Sequence, residues 1–184
     1  MNIISTGFKD LFVLEPKVLG DTRGYFMESF SRRTLLEAGI DLNFVQDNQS
    51  SSKRGVLRGL HFQNAPYAQT KLVRVLSGSV LDVVVDLRKD QATFGKHFSI
   101  ELSSENKKQV LVPKGFAHGF VVLTEQAEVF YKCDEYYQPQ ADGGILYNDP
   151  AIGIDWNFTA DELILSEKDK LHPKLENAKF NFSK

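Results

Sequence analysis

The sequence predicts an all-β fold, a β-barrel or jelly-roll sandwich with a short N-terminal helix and a small helical cover at its C-terminal end. Three observations carry this expectation. Apolar residues alternate with period two in segments that recur about every ten residues. Turn-forming Gly, Pro, Asn and Ser separate those segments, as in sandwiches and closed barrels. Helical signals occur in only two places. RRTLLEAG (32–39) closes on Gly39, which suits a helix end, and TADE (159–162) is a capping box with Thr159 as N-cap and Glu162 at N3, followed by a second start signal in SEKD (166–169).

The strands follow in order. LFVLEPKVLG (11–20) is strand-like with stops near Pro16 and Gly20, and GYFMESF (24–30) is an aromatic-rich strand. VLRGLHFQ (56–63) precedes a polar loop through Asn64, Ala65 and Pro66. KLVRVLSGSVLDVVVDLR (71–88) reads as two strands joined near Ser77-Gly78-Ser79, a hairpin signal. HFSIELS (97–103), KQVLVP (108–113), GFVVLT (119–124) and AEVFYKCDEYY (127–137) continue the pattern. With no repeat, low-complexity tract or linker, the 184 residues are expected to form one domain, 1–184, large enough for a core without staples.

Composition narrows the function classes. Apolar residues make up 42% and charged residues 25%, and the formal net charge is −2. That charge gives no electrostatic case for nucleic acid or an anionic membrane as partner. Cys133 is the single cysteine, so no internal disulfide is possible, which fits a cytoplasmic location. MNIISTGFKDLFVLEP has no signal-peptide character, and no run of ~18 apolar residues is present to span a bilayer.

The chemistry centres on VLRGLHFQ. On strict alternation Gly59, His61 and Gln63 share one face, while Arg58, Leu60 and Phe62 share the other. A bulge at Gly59 would bring Arg58 and His61 together. His61 is then a hydrogen-bonded core residue, a metal ligand or a base. Metal-holding jelly rolls pair a His-x-His strand with a later Pro-x-Gly-x-x-His. Pro113, Gly115 and His118 supply the second part, but His61-Phe62-Gln63 breaks the first, and a glutamine amide is a poor transition-metal ligand. Two imidazoles without a placed carboxylate fall short of three protein ligands, so no metal is expected.

The remaining candidates divide by strand face. His118 on pattern alone is either a site residue or, on the plainer reading, a structural histidine satisfied by a backbone carbonyl. His97, beside Lys96, belongs on the surface, and His172, before Pro173, is structural or exposed. Tyr131 aligns with Val129 and points inward; Lys71 aligns with Val73 and Val75 and either caps a strand end or reaches a site. Asp82 and Asp86 share a face and call for hydrogen-bond partners. Cys133 has no neighbouring base, and no nucleophile elbow, P-loop or Gly-rich dinucleotide motif occurs. The residues alone therefore give a barrel with an inward His61, a cationic set of Arg58, Lys71 and Arg74, and an inward Tyr131.

Several strings taken together resemble one family. GDTRGYFMESF, FVQDNQSSSKRGVLRGLHFQ, QTKLVRV, SGSVLDVVVDLR, PKGFAHGFVVL, EVFYKCDEYYQP and LSEKD are similar, in order and over about residues 3 to 175, to the dTDP-4-dehydrorhamnose 3,5-epimerase family. The resemblance implies a cupin-type jelly roll that needs no metal or other cofactor. It implies a dTDP-4-keto-6-deoxyhexose substrate, epimerised at C3 and C5 beside the C4 ketone on the route to dTDP-L-rhamnose. His61 would be the base, Asp169 its partner, Tyr131 the acid on the opposite face, and Lys71 the cation at the C4 oxygen. Arg23, Glu28, Gln46, Asn48, Arg58, His118, Asp142 and Lys168 would contact the sugar and nucleotide. The family is homodimeric with exchanged N-terminal strands, which would let Arg23 and Glu28 serve the neighbouring site. Gln49 stands where the family often has His, and Asp142 where Glu is common. The alternatives are an epimerase acting at C3 or C5 only, for another deoxysugar, and a sugar-nucleotide-binding barrel without catalysis.

Overall fold

The computed structural model describes residues 1–182. In chain order the elements are β1 (Asn2–Ser5), β2 (Phe12–Glu15), β3 (Val18–Asp21), β4 (Gly24–Met27), α1 (Arg32–Glu37), β5 (Gln46–Lys53), β6 (Leu57–Gln63) and β7 (Lys71–Ser77). They continue with β8 (Ser79–Asp86), β9 (His97–Ser103), β10 (Gln109–Val112), β11 (Phe116–Val122), β12 (Gln126–Cys133), β13 (Asp142–Gly144) and α2 (Glu167–Lys170). The strands form a six-stranded sheet, β1-β2-β10-β7-β12-β5, and a five-stranded sheet, β13-β6-β11-β8-β9. The β3–β4 hairpin pairs with neither among the described residues.

The two sheets close on one shared core, as the period-two pattern predicts. Val73, Val75, Val110 and Val129 come from the first sheet and Val80, Val84, Leu102 and Phe120 from the second, all in one buried cluster. The outer face of the five-stranded sheet presents Leu60, Phe62, Leu81, Val83, Val85 and Val121, covered by Ile145, Ile152 and Trp156. The outer face of the six-stranded sheet packs Leu14, Leu72 and Leu111 against Leu35 of α1. Ser31 caps α1 by accepting from the Thr34 amide, and Gly39 follows at φ +80, so this helix forms and ends as its sequence predicts.

Two expectations about connections need correction. The Ser77-Gly78-Ser79 link does not close a hairpin: β7 and β8 belong to different sheets, and the chain arches from one to the other at Gly78 (φ +73). Every residue of β8 is buried. A strand buried on both faces also needs a neighbour on each side for its backbone groups, which it finds in β9 and β11. TADE forms a turn rather than a helix. Glu162 accepts from the Thr159 amide at 2.9 Å, but Ile164 runs extended and makes a parallel bridge with Val56. The C-terminal cover is therefore mostly irregular chain, with α2 as its one α-helix among the described residues.

Candidate active site

The cavity lies at the mouth between the two sheets, with a volume of about 520 Å³. Its shape begins with β6. His118 pairs with His61 and Phe120 with Arg58, so two residues, Gly59 and Leu60, oppose the single Gly119. This is a β-bulge. It restores Arg58 and His61 to one face, because their partners His118 and Phe120 are two apart on β11. The break from alternation that Arg58 required thus sits at Gly59 (φ +122), in a backbone region that glycine tolerates and other residues rarely adopt. Arg58 Nε donates to Ser52 Oγ of the opposite sheet at 3.1 Å.

The cover brings the second half of the site. The Val56–Ile164 bridge leads into α2, where Ser166 as N-cap accepts from the Asp169 amide at 3.1 Å. Asp169 is thereby held buried, with Oδ1 2.6 Å from His61 Nε2 and Oδ2 accepting from the Gly59 amide at 3.5 Å. Burial alone would raise the Asp169 pKa. The His61 hydrogen bond and charge, with the Gly59 and Ser166 contacts, overcome it and hold the carboxyl below its usual range. An ionised carboxylate only accepts, so the Nε2 that faces it carries a proton, and in the neutral ring Nδ1 then holds the lone pair. That is the electronic state of a general base.

The other groups come from the six-stranded sheet. Tyr131 lies on β12 between Val73 of β7 and Asn48 of β5. Burial raises its pKa, Cys133 adds to this, and Arg58 opposes it, so the phenol stays protonated. Lys71 opens β7 with Nζ 5.8 Å from the Tyr131 ring centre. Burial pushes its ammonium pKa down, partly offset by Cys133, Asp142 and Asp82. Cys133 itself is pushed up to about 11, chiefly by burial, and is no nucleophile at neutral pH.

His61, Asp169, Tyr131, Lys71, Asn48, Arg58, His118 and Lys168 all line the cavity. Gln46 is one step further along β5, donating to Asn48 at 3.1 Å and accepting from the Tyr137 amide at 3.0 Å. Asp142 pairs with Lys168. Gln49 also lines the cavity, as do Phe120 and Ile164, which the strand pattern does not single out. Arg23 and Glu28 lie elsewhere. Arg23 is at the tip of the β3–β4 hairpin, paired with Asp21, and its side chain is 88% exposed. One histidine differs from the structural reading given to it: His118 is bound by the carboxylate of Asp82 at 2.7 Å rather than by a backbone carbonyl, both side chains being buried. Of the two readings for His172, structural or exposed, the ring is buried, and its Nε2 lies 3.6 Å from Asp169 Oδ1 with no hydrogen-bond partner.

A family model for dTDP-4-dehydrorhamnose 3,5-epimerase matches residues 5–177. The chain belongs to the dTDP-4-dehydrorhamnose 3,5-epimerase family. The dTDP-4-dehydrorhamnose 3,5-epimerase of Salmonella typhimurium is 52% identical over 179 residues, 97% of each chain. The crystal structure of the Elizabethkingia anophelis dTDP-4-dehydrorhamnose 3,5-epimerase superposes with a TM-score of 0.93 at 48% identity, covering 96% of this chain and 97% of that one. A dTDP-6-deoxy-D-glucose-3,5-epimerase from Legionella pneumophila, solved in complex with dTDP-4-keto-L-rhamnose, gives 0.91 at 48% identity, covering 96% and 93%. The fold is the cupin-type sandwich of this epimerase family, as the resemblance implied.

Proposed function

We propose that the protein converts dTDP-4-dehydro-6-deoxy-α-D-glucose to dTDP-4-dehydro-β-L-rhamnose without a metal, in the cytoplasm. One arrangement carries the reading: a carboxylate-backed imidazole on one sheet faces a protonated phenol on the other across a cavity. His61 Nδ1 takes the proton from the carbon beside the C4 ketone, and the electron pair moves to the C4 oxygen. Lys71 stabilises that oxyanion, an interaction that exists fully only in the transition state and intermediate. Tyr131 returns a proton from the opposite face. The same sequence at C3 and C5 inverts both centres. Arg58 and His118 hold the sugar and diphosphate, and Gln46, Asn48, Asp142 and Lys168 contact the sugar and nucleotide at the rim; the guanidinium fork of Arg58 suits phosphate oxygens. Among the described residues no helix is long and apolar enough to cross a membrane.

The test is deuterium incorporation from D₂O into the 4-keto substrate, followed by NMR. Label at both C3 and C5 is expected. Label at one carbon would make it a single-centre epimerase, and none, with binding intact, a binding barrel. The exchange rate should fall on the alkaline side below the ordinary lysine range. Lys71 works as an ammonium, and its pKa is lowered by burial, so it loses its proton earlier as pH rises.

We also propose a homodimer in which the β3–β4 hairpins are exchanged. Val18, Leu19, Tyr25 and Phe26 of that hairpin are 41%, 54%, 58% and 69% exposed, an apolar ribbon that a second copy would cover. The exchange would carry Arg23 and Glu28 to the neighbour's cavity. Sedimentation of the native protein should give a dimer, and Phe26→Asp a monomer; a monomeric native protein would overturn the exchange.

A further inference from the structure

His172 has no part in the reaction as derived, yet it is built into the site. Its side chain is 10% exposed, so nine-tenths of it is buried, and Nε2 has no hydrogen-bond partner. That is an unfavourable state for an imidazole nitrogen unless something else binds it. The ring is fixed in place: a Cβ at Gly144 would collide with it, and the Leu146 amide holds the carbonyl of Pro173, the next residue, at 2.8 Å. Its unpartnered nitrogen faces the oxygen that His61 uses. Asp169 Oδ1 is 2.6 Å from His61 Nε2 and 3.6 Å from His172 Nε2, and the three ligand atoms lie within 4.8 Å of one another.

We infer that His61, Asp169 and His172 form a binding site for a divalent first-row transition ion such as Zn²⁺, and that an ion held there switches the epimerase off. Two imidazoles and one carboxylate are a ligand set for such ions, with further positions open to water. Ligand atoms around tetrahedral zinc stand about 3.4 Å apart for bonds near 2.1 Å. The His172 separation is close to this, and the His61–Asp169 pair must open by several tenths of an ångström. Lys168, close by, is paired with Asp142. The site is distinct from the broken His-x-His pattern, because His118 is committed to Asp82.

The switch works through the tautomer of His61. At rest the proton is on Nε2 and the lone pair on Nδ1. An ion that bonds Nε2 displaces that proton, and the neutral ring takes one up at Nδ1 through water. Asp169 changes from hydrogen-bond acceptor to ligand. Proton count and oxidation states are unchanged, but the base has become a donor. The substrate pocket is left open, so kcat falls and KM does not. The inhibition, though not the binding, rests on the assignment of His61 as base.

Two readouts on the full-length native protein test this. The ¹⁵N resonances of His61 and His172 Nε2 should both move on adding Zn²⁺, and Co²⁺ should give a visible absorption band that Zn²⁺ abolishes. Zn²⁺ should also slow deuterium exchange into the substrate, with recovery in EDTA. His172→Asn and His172→Ala, each compared with its own metal-free rate, should need about tenfold or more Zn²⁺ for the same inhibition, at least the cost of losing a supporting contact to a ligand. Absence of the band and of both resonance shifts, or unchanged zinc sensitivity in both variants, overturns the site. Binding that needs His172 but leaves exchange untouched supports the site and removes His61 as the base.

Discussion

Replacing His61 by alanine is expected to stop epimerisation, with deuterium exchange at both C3 and C5 slowed by about 10²–10⁴-fold or more, the range for a lost general base. The fold should survive. The His61 side chain is 33% exposed and sits on the cavity face, whereas its neighbours Leu60 and Phe62 fill the outer core and are untouched. The cost is the partner left behind: Asp169 stays buried with its charge and loses its shortest hydrogen bond, keeping the long Gly59 amide contact and the Ser166 contact, worth about 1–3 kcal/mol of lost stability. In a chain of this size that is a fall of about 2–4 °C in Tm per kcal/mol. NMR exchange and a thermal melt on the same sample measure both. A variant that exchanges at near the native rate would remove His61 from the role of base.

Gly59→Ala should be the most damaging single methyl group in the site. At φ +122 an L-residue is strained, and the added Cβ would stand 2.6 Å from the Gly119 Cα and 2.7 Å from the His118 carbonyl oxygen. Both obstacles are backbone in the neighbouring strand, so neither can rotate away. We expect a loss of about 3 kcal/mol or more, the magnitude of a backbone clash in a buried element. That lowers Tm by roughly 6–12 °C. Whatever remains folded should bind substrate poorly, because Arg58 and His61 share a face only through the bulge. A melt within about 2 °C of native, with unchanged KM, would show that the bulge does not set the site.

Much of this site is legible in the order of the residues. The strand period places Tyr131 beside Val129 on the inner face, and the conflict between Arg58 and His61 points at Gly59 as the place where alternation breaks. Those are local facts, carried by residues within a few positions of one another. What local pattern cannot supply is the partner of a polar group across the fold. Family resemblance, not spacing, puts Asp169 beside His61, since 108 residues separate them. Asp82 on its strand face calls for a hydrogen bond, but its partner His118 lies on another strand, and only the β8–β11 register, which sets the two diagonally across from one another, brings them together. His172 is unremarkable in the sequence because nothing in LHPK announces that its nitrogen will be buried without a partner. The Ser-Gly-Ser link shows a related failure: a turn signal says that the chain reverses, not whether the next strand pairs beside the last or crosses to the facing sheet.

The shared core between the sheets has one more meaning. His61 is fixed to one wall and Tyr131 to the other, and the valines, leucines and phenylalanines packed between the walls set how far apart they stand. Val75, Val80, Leu102 and Val129 do not line the cavity, yet they are the spacer of the proposed acid–base pair, whose reacting atoms must be held to a fraction of an ångström. In this molecule the thickness of the oil layer is a catalytic dimension, and core volume is under the same constraint as the chemistry it surrounds.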